Sequence, residues 1–211
     1  MNALQKHLIQ GFKLTLPIGC WVLLCVGPTG CRIFKPVQDQ TRFYVLSSIA
    51  ASPSAVHSNR NLTIGIVPVE IPAYLQNSRI AVRRGTNEID YSADRQWAEH
   101  LDKGIQRVLA LDLTNLLPGL RMITSAWQQG DVRAEVHITI QRFELDEKGE
   151  ATLECQWRIV TPDQGHAIQS GRVSINKKGP PLANNPAGGV QSLSDALADL
   201  SEKIAKALPT L

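Results

Sequence analysis

Apolar and polar positions along this chain change period several times, and each change marks an element. Trp97, Leu101, Ile105, Val108, Leu109, Leu113 and Leu116 recur every three or four positions. That spacing lays them along one stripe of an α-helix. It predicts a helix over 93–117, with Ser92 as N-cap, Asp94 in the first turn and a Glu99/Lys103 pair one turn apart. Pro118-Gly119 stops it. A second stripe, Leu193, Leu197, Leu200, Ile204 and Leu208, predicts a helix over 191–208. Ser192 and Asp195 read as its capping box, Lys203 and Lys206 suit its C-terminal dipole, and Pro209 ends it.

Elsewhere the period is two. Phe43–Leu46 is a short β-rich run, and 47–60 reads as a polar loop. Leu62, Ile64 and Ile66 alternate until the phase shifts at Pro68, which predicts an edge or end position. Pro72–Leu75 suits one helical turn. Ile80–Val82 and Glu88–Asp90 flank Arg83–Asn87, a turn that fits a hairpin. From Val132 to Ile140 the even positions are apolar, whereas at Phe143 and Leu145 the odd ones are. This one-residue shift predicts a bulge near Gln141-Arg142. Ala151, Leu153, Cys155, Trp157 and Ile159 alternate cleanly, and His166–Ile175 returns with a second phase break at Gly171. Three such strands with tight turns make an antiparallel meander with one wet face. Residues 177–189 read as a flexible loop, open to ordering on a partner. The expected fold is α+β: an antiparallel or mixed sheet with two amphipathic helices packed on it, a two-layer sandwich.

The first thirty residues follow neither period. They contain Lys6 and Lys13, no Asp or Glu, and an apolar run from Leu14 to Gly27. That run is shorter than the roughly 20 residues a membrane-crossing helix needs. A positive start and a short apolar run fit a secretory signal peptide. The run closes in Pro28-Thr29-Gly30-Cys31, a small residue before a cysteine, which is the pattern of a lipoprotein processing site. Pro28 departs from the aliphatic residue usual at that position. Cys20 and Cys25 compete less well: one leaves a six-residue apolar region, and the other follows bulky Leu24. An ordinary cleaved signal peptide is the plainer alternative. The expected organisation is a signal peptide over 1–30, a lipidated N-terminus and tether over 31–41, and one periplasmic domain over 42–211. Ten extended residues of tether span at most ~35 Å. Arg32 follows the acylated cysteine where an Asp would favour inner-membrane retention, so it favours the outer membrane.

Losing both leader lysines takes the formal net charge from +3 to +1, so no basic excess points to nucleic acid. Once Cys31 is acylated only Cys155 remains, which leaves no intramolecular disulfide. Its place on an apolar phase predicts a buried, inert thiol. No Gly-x-Ser-x-Gly, His-Glu-x-x-His, Cys-x-x-Cys or phosphate-binding glycine loop is present, and no enzymatic activity or cofactor is expected. His57, His100, His137 and His166 are scattered in sequence. A metal site of Glu135, His137 and His166 competes with the plainer and preferred reading of ordinary surface histidines. Asp94, Glu99 and Asp102 suit a solvated helix face, and Trp97 and Trp157 suit the core. The segment Tyr74–Arg84 concentrates an aromatic and arginines in a stretch expected to be exposed, and such residues are common binding anchors. Tyr74, Arg79 and Arg83 are therefore the candidate partner-binding residues, against the plainer reading of a solvated hairpin.

Read together, Phe43-Tyr-Val-Leu-Ser47, Ile64-Gly-Ile-Val-Pro-Val69, Ile71-Pro-Ala-Tyr-Leu75, Arg79-Ile-Ala-Val-Arg83, Asn87-Glu88, Asp94–Leu101 and Arg107-Val-Leu109 carry a resemblance. The chain resembles the ABC-type transport auxiliary lipoprotein family, which includes PqiC/YmbA-like lipoproteins. His100 stands where that family commonly has Pro. The resemblance implies a non-enzymatic outer-membrane lipoprotein that works with a mammalian-cell-entry (MCE) domain membrane protein and its transport complex. It would dock the distal end of a periplasm-spanning lipid conduit, and a homo-oligomer is compatible with that role. A stand-alone periplasmic lipid-binding carrier is the alternative.

Overall fold

The alternating run that begins at Ala134 becomes one strand of 13 residues around which the rest is arranged. The computed structural model describes residues 40–50, 62–128, 130–162 and 167–208. In chain order the elements are β1 (Arg42–Tyr44), β2 (Leu62–Ile66), a 3-10 turn (Ala73–Gln76), β3 (Arg79–Arg84) and β4 (Glu88–Trp97). Then come α1 (Leu101–Leu116), β5 (Leu120–Ile123), β6 (Ala134–Asp146), β7 (Glu150–Val160), β8 (Ala167–Lys178) and α2 (Pro186–Ala207). Gln40–Leu211 forms one unit by its internal contacts.

The spine is β6. Along one flank it pairs antiparallel with β7, which pairs antiparallel with β8, the expected meander. Along the other flank the sheet forks. β2 lies parallel to the start of β6 and β3 parallel to its end, with a lone bridge from Glu70 to Thr139 between them. β5 extends the first branch, and β4 with β1 extends the second. Among the described residues the result is an open, mixed sheet of eight strands with two helices, an α+β fold. β2 has a partner on each side, so Pro68 marks its end, not a sheet edge.

The register of β6 against β7 steps between Ile140 and Arg142, where the apolar phase changes. One extra residue there returns Phe143 and Leu145 to the face that holds Val136 and Ile138, and all four are buried. α2 crosses β7 and β8 on that face and packs beside α1. Ile64, Ile66, Leu109, Phe143, Leu153 and Leu197 are among the fully buried side chains. Each such burial is worth roughly 1.5–3 kcal/mol.

Several boundaries differ from the periodicity. Residues 93–97 are the end of β4, and α1 starts only at Leu101, because Arg95–Trp97 are held in register by β1 and Arg79 by Gln96. Trp97 is buried from a strand, where one position satisfies either pattern. Ser92 caps nothing: the N-cap is His100, without a side-chain bond. Glu99 pairs with Arg107 (2.6 Å) and not with Lys103, whose neighbour is Asp102 at 3.8 Å. α2 begins five residues earlier than its stripe, with Pro186 in the first turn and the Asn185 carboxamide accepting from the Gly188 N–H at 3.0 Å. Ser192 and Asp195 are therefore interior residues. The expected 177–189 loop shrinks to 179–185, and Leu182 within it is buried against the domain. β5 had no detectable period.

Gly171 is not a phase break. It sits in register opposite Trp157, and the irregularity lies between Ile159 and Val160. A Cβ on Gly171 would come within 2.8 Å of the Trp157 indole, so glycine lets the ring lie on the strand. Gly171→Ala should destabilise the fold by about 1–3 kcal/mol through displacement of that ring. An unchanged urea midpoint would contradict this packing.

Candidate partner-binding site

The same register step that keeps Phe143 inside turns Arg142 and Glu144 to the other side of β6. Glu144 does not reach water there, because the 3-10 turn and the β3–β4 hairpin cover it. Its Oε2 accepts from the Tyr74 hydroxyl at 2.6 Å. Its Oε1 accepts from Arg83 Nε at 2.6 Å and Arg142 Nε at 3.0 Å. Arg142 also reaches Glu154 through Nη1 at 3.1 Å, and the Tyr91 hydroxyl donates to the Tyr74 carbonyl at 3.0 Å. The Glu144 side chain is 1% exposed.

Burial pushes the Glu144 carboxyl up, but hydrogen bonds from Tyr74, Arg83 and Arg142 together outweigh it and hold the pKa below the ordinary range. Burial, then the neighbouring carboxylate, raises the Tyr74 phenol above its usual value. The arrangement is a locked carboxylate with cationic and phenolic donors around it. Beside it a shallow cleft of about 470 Å³ is lined by Arg83, Arg142, Glu147, Lys148, Glu154 and Asn176, with charges of both signs. Of the three candidate residues, Tyr74 and Arg83 therefore meet on Glu144. Arg79 stands apart and exposed; its backbone N–H donates to Asn77 Oδ1 at 2.8 Å.

A second constellation escaped the sequence. Leu46, read as the end of a β-rich run, and residues 47–49, read as the start of a polar loop, form a strap across the helices. Arg107 Nη2 donates to the Leu46 carbonyl (3.2 Å), and the Ser47 N–H donates to Ser194 Oγ (3.1 Å). The Ile49 N–H donates to Asp112 Oδ1 (2.9 Å), and Asn115 Nδ2 donates to the Ile49 carbonyl (3.0 Å). Ser201 Oγ completes Asp112 from α2 at 2.9 Å. Asp112 is fully buried, and burial raises its pKa against the lowering effect of the Ile49 and Ser201 bonds. A signal existed: Asp112 lies between Leu109 and Leu113, and Ser194 and Ser201 fall within the buried face of α2.

Other candidates resolve simply. Glu135 Oε2 lies 3.1 Å from His137 Nε2, and its Oε1 accepts from Trp127 Nε1 at 3.0 Å. His166, His57 and Cys31 lie outside the described residues. Among the described residues no group of three His, Cys, Asp or Glu side chains could hold a metal ion. Cys155 is buried, and burial pushes its thiol up to about 12, so it is inert at neutral pH.

The model of the ABC-type transport auxiliary lipoprotein component family matches residues 44–205. The chain belongs to this family. Members are lipoproteins that serve transport, which places this one among membrane-anchored auxiliary subunits and implies a non-enzymatic role. Its fold is shared with the crystal structure of an uncharacterised protein at TM-score 0.67 and 18% identity, covering 80% of this chain and 98% of the other. A DUF330 protein from Xanthomonas campestris aligns at TM-score 0.61 and 13% identity, over 78% of this chain and 92% of its own. No curated protein sequence matches significantly.

Two measurements probe these groups in this family member. Glu144→Gln should cost about 2 kcal/mol, since it leaves Arg83 and Arg142 without a full counter-charge while both keep some access to water. Because the folded carboxyl titrates below its unfolded value, that advantage is present above about pH 4 and fades as pH falls through the lowered pKa. An equal gap at pH 3 and pH 7 would argue against an ionised Glu144. Asp112 has the opposite sign. Its raised pKa makes ionisation unfavourable, so the native chain should lose stability relative to Asp112→Asn as pH rises from about 4 to 8. Parallel pH curves for the two proteins would refute a buried, raised Asp112.

Proposed function

We propose that this protein is the outer-membrane docking subunit of an MCE-type envelope lipid-transport system, acylated on Cys31 and facing the periplasm. Family membership supports an anchored auxiliary subunit, and the strap is the observation that carries the rest. An acyl anchor at Cys31 is joined to the domain through the chain that leads into Thr41. Five residues after Thr41, that chain is gripped at Leu46, Ser47 and Ile49 by side chains of both helices. A freely trailing tether would leave the domain's orientation undetermined. Pairing of β1 with β4 fixes where the chain from the anchor enters the domain, and the strap tied to Arg107, Asp112, Asn115 and Ser194 secures that entry to both helices. A subunit that must present one surface to a partner needs that constraint; a diffusing carrier does not.

The partner in this reading is the periplasm-spanning MCE-domain component, and Arg79, exposed and without an ion pair among the described residues, is the candidate contact residue. Tyr74 and Arg83 contribute by shaping the hairpin through Glu144.

Mass spectrometry of the purified mature protein should find an acylated N-terminal Cys31, and the full chain should co-elute with the MCE-domain partner. Arg79→Glu should weaken that co-elution without lowering the melting temperature. An unmodified N-terminus elsewhere, or a stoichiometric mixture that never associates, overturns the proposal.

A further inference from the structure

On the sheet face away from the helices, β6, β7 and β8 carry a trough of about 580 Å³. Its floor is the backbone at Ile138, Trp157 and Gly171, and its walls are the outward side chains of the flanking positions. The register sets them in two rows. His137, Arg158 and Ser170 lie opposite one another across the three strands, and Thr139, Gln156 and Arg172 lie in the next row. Arg158 and Arg172 are thus diagonal neighbours on adjacent strands, close enough for long side chains to meet. Like charges so placed repel.

Among the described residues the two arginines make no ion pair. Arg142, on the same face, binds Glu144 and Glu154. The carboxylates nearest the trough are already engaged: Glu135 holds Trp127 and His137, and Glu70 accepts from Thr139 Oγ1 at 3.0 Å. Glu70 lines the trough from the β2 side and opposes an anion at that end. The Arg158–Arg172 end has two guanidinium forks, an imidazole, a hydroxyl and a carboxamide; the diagonal carboxylates, Glu135 and Glu154, are held by His137 and Arg142. Guanidinium forks match the oxygen geometry of phosphate.

We propose that this trough binds a phosphate group, presented either by an anionic phospholipid headgroup or as the free ion. The two guanidinium groups take its oxygens, which relieves their mutual repulsion, and Ser170 and Gln156 supply neutral donors. The site lies apart from the Glu144 cluster and from the strap, so it does not depend on the docking role.

The test titrates the isotope-labelled full chain, held in neutral detergent, with inorganic phosphate and separately with short-chain phosphatidylglycerol, following backbone amide shifts. Saturable shifts confined to β6–β8 are expected, with affinity reduced at least about tenfold in Arg158→Gln/Arg172→Gln. Glu70→Gln should tighten binding. Response to both ligands supports recognition of the phosphate itself. Response to phosphatidylglycerol alone supports a headgroup as the source, and response to phosphate alone supports the free ion. Absence of shifts in the unaltered chain, or affinity unchanged in the double variant, overturns the site. Both arginines are exposed, so their loss leaves the core intact and the comparison is between folded proteins.

Discussion

A sheet strand has two faces, and any side chain belongs to one of them for as long as the register holds. In β6 the register slips by one residue between Ile140 and Arg142, and the rest of the domain is built on that slip. Upstream of it the even positions face the helices; downstream the odd ones do. Without the step, Phe143 and Leu145 would leave the core, and Glu144 would enter it unaccompanied. With it, the hydrophobic layer continues to the end of the strand where β3 pairs. Glu144 is delivered to the one place where Tyr74, Arg83 and Arg142 converge.

The two buried carboxylates show how differently the same group can be used. Glu144 is bound by two guanidinium groups and a phenol, so its charge is compensated and its pKa falls. Asp112 receives only a backbone N–H and a serine hydroxyl, both neutral, and its pKa rises. Three side-chain donors, two of them cationic, outweigh burial at Glu144, whereas two neutral donors do not outweigh it at Asp112. The first ties a hairpin to the sheet. The second ties the N-terminal strap to the seam between two helices, with less to gain electrostatically and more to lose as pH rises.

Periodicity captured what depends on burial of one face. The meander, the bulge at Gln141-Arg142, the stripes of both helices and the inert Cys155 were legible because each places an apolar residue at a regular interval. What it missed depends on partners distant in sequence. Trp97 fits a helix stripe, yet pairing with β1 and β3 decides that it is a strand residue. The start of α2 at Pro186 rests on the Asn185 cap and a proline, which carry no apolar signal. The hairpin arginines looked like an exposed set, but the strand geometry turns Arg83 toward Glu144 and leaves Arg79 outside. The strap was hidden because its hydrogen bonds use the backbone of 46–49, which any sequence supplies. Only the misplaced polarity of Asp112, Ser194 and Ser201 recorded it.

Two tryptophans lying on two glycines bear on how the sheet divides its labour. Trp157 rests on Gly171 on the helix side, and Trp127 rests on Gly65, where a Cβ would meet its ring at 2.6 Å. Gly65 lies between the buried Ile64 and Ile66, so alternation puts Trp127 on the opposite face. There it holds Glu135 by its indole N–H, and Glu135 in turn holds His137. Glu135 is thereby engaged by Trp127 and His137 and makes no ion pair with Arg158. The helix layer takes the strap, and the far face keeps two arginines, Arg158 and Arg172, without an ion pair among the described residues. A domain whose attachment and whose charged surface lie on opposite layers can be fixed through one while the other stays open to a ligand.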